Sequence, residues 1–119
     1  ITKEKEYAIL TAEISKATFG ITPSEYKEIK GLTRKNENLR DHMDDLELIF
    51  TMLGERVTTE ISQKENPDTF NKSKKIAKRG GNVAGIAREQ TEKELGRSIV
   101  SPTNYLDSNK KETDNDLFD

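Results

Sequence analysis

The sequence predicts an all-α protein: a small helical bundle with a long basic helix toward the C-terminus and a flexible acidic tail. Three observations predict it. Apolar residues recur at spacings of three and four: Leu46, Ile49, Phe50, Leu53, Val57 and Ile61 in one stretch, and Ile76, Ala77, Gly80, Val83, Ala84, Ala87, Thr91 and Leu95 in another. Helix-capping residues precede the periodic stretches and glycines follow several of them. At 119 residues, with 31% apolar and 35% charged residues, the chain holds one modest core and long solvated helices. So small an apolar share also suits a core completed by a partner chain.

The first element is an amphipathic helix from Lys3 to Ala17, with Tyr7, Leu10, Ile14 and Ala17 on one face, Thr2 as cap and Gly20 as stop. The second has the clearest signals. Thr22 sits at the N-cap, Pro23 at the first helical position, and Glu25 completes a capping box. Ile21 and Tyr26 form a hydrophobic staple, and Gly31 ends the helix. The pair is not a helix-turn-helix reader of DNA, because its second helix lacks the donors needed to meet base edges. Leu32 to Met43 is a short polar helix or turn.

Asp44 or Asp45 caps the next helix, which runs to about Lys64 with Glu47 in its first turn. Leu48 and Met52 add a second apolar stripe, so this helix is expected at the centre of the bundle. Gly54 marks either a bend or the close approach of a neighbouring backbone. Asn66-Pro67-Asp68 breaks the chain, with Asp68 or Asn66 as the next cap. A helix from Thr69 to Leu95 follows. Its stripe keeps phase across Gly80, Gly81 and Gly85, favouring a small-residue contact face over a hinge at Gly80-Gly81. Such a helix would be about 40 Å long, long enough to project and pair with another chain, which points to a homodimer. Gly96 closes it. Arg97 to Leu106 is extended or turned, packing Ile99, Val100, Tyr105 and Leu106 onto the bundle. The helical domain is thus 1–106, and 107–119 is a tail whose composition predicts disorder.

Several chemistries are excluded. No cysteine means no disulfide, zinc–thiolate site or thiol catalysis. No apolar run reaches the ~18 residues of a membrane span, and no signal-peptide pattern opens the chain, so a cytoplasmic protein is expected. His42, the one histidine, lies three residues from Asp45, but a metal site needs more ligands than these. An imidazole held by a neighbouring carboxylate is the simpler reading. No nucleophile turn, second histidine or phosphate loop is present, so no catalytic residue, metal or cofactor is assigned.

The sharpest asymmetry is charge, although the net charge is only −2. Lys72, Lys74, Lys75, Lys78, Arg79 and Arg88 fall in a stretch without an acid until Glu89. Six cations opposite a small-residue stripe form a candidate surface for a phosphate backbone. Without interleaved aromatics, binding there would be sequence-tolerant. The plain alternative is a solvated helix face. Leu117 and Phe118 in Asp114-Asn115-Asp116-Leu117-Phe118 resemble the short Leu-Phe peptide that docks on the bacterial sliding clamp, though Asp114 stands where glutamine is usual.

Tyr26-Lys27, Lys30-Gly31-Leu32, Asn38-Leu39-Arg40-Asp41-His42-Met43, Glu47-Leu48 and Thr59-Glu60-Ile61 together are similar to the C-terminal region of the DNA-damage-inducible protein D family. Gly80-Gly81, Ala84 to Arg88, Val100-Ser101 and Asn104-Tyr105-Leu106 resemble its later segment. The likeness covers about Tyr7 to Leu106. It implies a preceding antirepressor-like domain, so this chain, which begins at Ile1, would be a fragment of a longer protein. It further implies a non-enzymatic DNA-damage (SOS) role that modulates the recombinase filament on single-stranded DNA. The competing expectation is a phage-type antirepressor or regulator acting through protein–protein contact only.

Overall fold

A computed structural model describes residues 2–34 and 36–102. They form α1 (Lys3–Phe19), α2 (Pro23–Ile29), a 3-10 turn (Leu39–His42), α3 (Asp45–Glu65) and α4 (Phe70–Leu95). The expected all-α bundle is what forms. No helix among the described residues is long and apolar enough to cross a membrane.

The caps explain where each helix starts. Thr2 accepts a hydrogen bond from the Lys5 amide, and Gly20 ends α1 at φ 79° with its amide on the Lys16 carbonyl. Thr22 and Glu25 form the reciprocal capping box, with Pro23 in the first turn. Asp44, not Asp45, caps α3, in a second capping box with Glu47. Asn66 turns out to close α3 in the left-handed conformation, and Thr69 caps α4 by accepting from the Lys72 amide. Neither Asn66 nor Asp68 therefore caps α4. Asp68 pairs with Lys72 instead.

The order of packing differs from expectation. α4, not α3, is the central helix: it packs extensively on both α1 and α3, which touch each other far less. Glu13 reaches Lys74 and Lys78, and Thr18 reaches Gly81, so α1 and α4 ascend together. Thr58 lies against Gly80 and Gly54 near Ala84, so α3 runs back the other way. α4 is one continuous helix flanked by its neighbours, and it does not project from the body as its length suggested. The result is a slab, 51 × 34 × 19 Å.

Missing side chains make this possible. Gly80, Gly81, Ala84 and Gly85 are buried on α4. A Cβ on Gly80 would lie 2.6 Å from the Thr58 nitrogen and 2.7 Å from its Cα. One on Gly81 would lie 2.7 Å from both the Ala17 Cβ and the Ile14 carbonyl oxygen. On Gly85 it would run into the Ala17 carbonyl oxygen. Gly54 answers from α3, but its close neighbours are the Thr18 and Ile14 side chains, not a backbone.

A small face needs a small partner face, and this decides how α3 is rotated. Glu47, Phe50 and Gly54 point inward, whereas Ile49 and Met52, which belong to its apolar stripes, are 54% and 58% exposed. Val83 and Ile86 on α4 are likewise exposed, as is Tyr7 on α1. The larger side chains gather at one end of the slab. There Phe19, Tyr26, Met43, Phe50 and Ile99 form the core, with Ile21, Leu39, Leu46 and Val100 around them. Ile99, fully buried, brings the segment after α4 back onto the bundle, as expected. Tyr105, Leu106 and the tail lie outside the described residues.

Gly80→Ala and Gly85→Ala will each destabilise the protein in urea unfolding, by about 2 kcal/mol or more, although alanine is the better helix former. Asn82→Ala, exposed on the same helix, will be neutral or stabilising.

Candidate functional site

The six cations of α4 do not form one open surface. α4 buries Ile76, Ala77, Gly80 and Ala84, which turns its charged positions outward in several directions. Lys72 lies 2.8 Å from Asp68, and Arg79 holds both oxygens of Glu65 at 2.9 and 2.7 Å. That bidentate hydrogen bond keeps the Glu65 carboxyl below its ordinary value of 4.5 and raises Arg79. Arg88 is largely sequestered. Its Nε donates to the Thr18 carbonyl at 2.6 Å, at the end of α1, and its Nη1 to Glu92 at 2.8 Å. Glu92 also accepts the Ile99 amide at 2.9 Å, so Arg88 ties α1, α4 and the returning segment together. Arg88 is structural.

What remains is smaller. Lys74 and Lys78 share one carboxylate, Glu13, at 3.8 and 3.9 Å. Lys75 is exposed and has no ion pair among the described residues. These three lysines line one shallow depression with Asn71. Lys74 and Lys78 keep 41% and 63% of their side chains exposed while Glu13 keeps 12%, so the two ammonium groups stand open to solvent around a carboxylate that is largely covered. Asp68–Lys72 and Arg88–Glu92 were legible from their spacing of four. Glu13 and Glu65 were not, since they approach α4 from other helices.

The residues around His42 form scaffold. The imidazole is nearly buried, its Nε2 3.7 Å from Glu37. Between α2 and α3 lies a polar knot that sequence reasoning missed. Glu47 is fully buried; its Oε1 accepts from Lys30 Nζ at 2.7 Å and from the Asp44 amide at 3.0 Å, and its Oε2 accepts from the Tyr26 hydroxyl. Lys30 Nζ also lies 5.9 Å from the Tyr26 ring centroid, and Phe19 meets that ring edge-on at 5.1 Å. Burial first, then the hydrogen bond to Glu47, pushes the Tyr26 phenol up from its ordinary 10.0. The knot joins α2 to the start of α3, with Tyr26, Lys30 and Glu47 all buried.

A cleft of about 330 Å³ opens between α1, α2, the 3-10 turn and α3. Ile14, Phe19, Leu39 and Met43 give it an apolar wall, and the Arg40–Glu55 ion pair stands in its lining. Three of its hydroxyls are committed elsewhere: Ser15 to the Ile21 carbonyl at 2.7 Å, Thr18 to the Gly81 carbonyl at 3.3 Å and Thr51 to the Glu47 carbonyl at 2.9 Å. The lining contains no paired nucleophile and base. Among the described residues no group of three or more His, Asp or Glu stands together as a metal site. Leu117 and Phe118 lie outside the described residues. Compared with protein-family models, curated proteins and solved structures, the chain finds no match in any of the three.

Lys30→Met leaves the Glu47 charge buried and uncompensated, and will cost about 3–5 kcal/mol in urea unfolding. Lys30→Met with Glu47→Leu removes both charges and will recover part of that loss.

The folded state retains the Tyr26 proton that the unfolded chain releases near pH 10. The stability this supplies is therefore present below pH 10 and lost as pH rises above it. In Tyr26→Phe the alkaline decline, followed by urea unfolding from pH 8 to 11, will be shallower.

Proposed function

We propose that the chain is a non-enzymatic, cytoplasmic module of a bacterial DNA-damage (SOS-type) response that modulates the recombinase filament chiefly through protein contact. The observation carrying this reading is the pairing of the α4 cations. Five of the six have a carboxylate within 4.0 Å, so the helix offers less to a phosphate backbone than its sequence promises. The damage-response setting rests on the resemblance to the DNA-damage-inducible protein D family. Several residues carrying it, Tyr26, Lys30, His42, Met43 and Glu47, are buried together. This supports a shared scaffold and assigns none of them a chemical role. The absence of converging catalytic groups in the cleft favours a binding module over an enzyme.

A second reading keeps direct DNA contact, confined to Lys74, Lys75 and Lys78. The unpaired Lys75, and one carboxylate serving two lysines, favour it. A phage-type regulator acting on a different protein is the competing protein-contact reading and differs in its target.

Recombinase filament assembly on single-stranded DNA, with and without the protein at two salt concentrations, separates these readings. The proposed function predicts a changed assembly rate that survives the higher salt and persists when the three lysines are replaced by alanine. Direct DNA contact instead predicts binding to single strands without recombinase, with a log–log salt slope of about −2 for three phosphates, abolished by the same replacements. No effect on the filament at either salt would overturn the recombinase reading.

A further inference from the structure

The cleft between α1, α2, the 3-10 turn and α3 holds a charge that the fold leaves unanswered. Only Lys27, Arg40 and Glu55 bring formal charge to its lining. Arg40 and Glu55 pair with each other, and Lys27 has no ion pair or side-chain hydrogen bond among the described residues. Nor could its own helix supply one. The positions three and four away along the chain are Pro23, Ser24, Lys30 and Gly31, none of them acidic. Lys27 is half-buried all the same, and an ammonium partly withdrawn from water gains from an anion beside it. The rest of the lining asks for the opposite chemistry. Ile14, Phe19, Pro23, Leu39 and Met43 present carbon and sulfur, and the hydroxyls of Ser15, Thr18 and Thr51 already donate to backbone carbonyls.

We propose that this cleft binds a small organic monocarboxylate, its apolar body against the carbon wall and its carboxylate on Lys27. Charge is the first support. Two cations stand against one carboxylate in the lining, and Arg40 would have to release Glu55 to meet an anion, so Lys27 is the ligand's counter-charge. Size is the second. The cleft measures about 330 Å³, at the small end of ligand pockets; at roughly 30 Å³ per heavy atom it holds about ten. Enclosure is the third. Helices or turns bound the space on four sides, which suits a compact molecule, whereas a peptide needs a long groove or a free strand edge. The assignment concerns a small molecule and holds whichever macromolecule the module touches in the damage response.

Titration of octanoate, a carboxylate of matching size, into the isotope-labelled 119-residue chain, followed by amide NMR shifts, tests the proposal. Saturable binding is expected with a dissociation constant of about 0.1–1 mM, the shifts centred on the residues lining the cleft. Octylammonium, of opposite charge, should bind at least about tenfold more weakly. Lys27→Met should weaken octanoate about tenfold and leave octanol unaffected. Its helical circular dichroism should match the wild type, since Lys27 holds no ion pair in the fold. Lys27→Glu should reverse the preference between octanoate and octylammonium. Lys75→Met, which removes an exposed lysine of α4, should change nothing. No saturation by about 5 mM octanoate, equal affinity for octanoate and octylammonium, or wild-type affinity in both Lys27 variants would overturn the proposal. So would shifts centred on the α4 lysines, or a peptide with the sequence of residues 114–119 occupying the cleft in preference to octanoate, which would make it a peptide dock.

Discussion

Close approach of backbones along α4 is the constraint from which the rest follows. Gly80 and Gly85 let Thr58 and Ala17 come where no side chain fits, so α1 and α3 can both lean on one helix. This compensates for a chain with few large apolar residues. Dispersion depends on short distances between many atoms, and backbone atoms in contact supply it as well as leucines do. The arrangement also fixes the rotation of each helix. Once α3 turns Gly54 and Thr58 toward α4, its bulkiest residues must face elsewhere.

The polar knot does a different task at one end of the slab. Glu47 accepts three donors and leaves no lone charge unanswered. Its pairing with Lys30 does not make it a source of large net stability, because removing two charges from water costs nearly what their attraction returns. What it supplies is geometry. The carboxylate can be satisfied only when α2 stands where Tyr26 and Lys30 both reach it, so the short α2 is held in one place although it is only seven residues long. The neighbouring cleft owes its shape to that placement.

Local signals in the sequence were reliable because local physics decides them. Thr2, Thr22, Asp44 and the helix-ending glycines act within four residues, and all sit where capping chemistry requires. The continuity of α4 across its glycines was legible from the unbroken phase of the stripe. The central helix was misjudged for a physical reason: hydrophobicity was used to rank burial, whereas packing here is ranked by smallness. The candidate site suffered likewise. Six cations in one stretch reveal how much charge a helix carries, but not that Glu13 and Glu65 come to meet it from other helices. Lys30 and Glu47, seventeen residues apart, give no sign in sequence that they are buried on each other.

Ile99 has a consequence for how the protein comes into being. It is fully buried against residues that include Phe19 and Tyr26, eighty and seventy-three positions earlier in the chain. During synthesis from the N-terminus, α1, α2 and α3 emerge before the residue that completes their shared core. Until then the aromatic end of the slab stays open to water and to other proteins. Closure of a loop this long is slow relative to helix formation, so the ribosome releases the last residue of the core well after the first helices can form. The aromatic end of the core is therefore completed only after all four helices have been made.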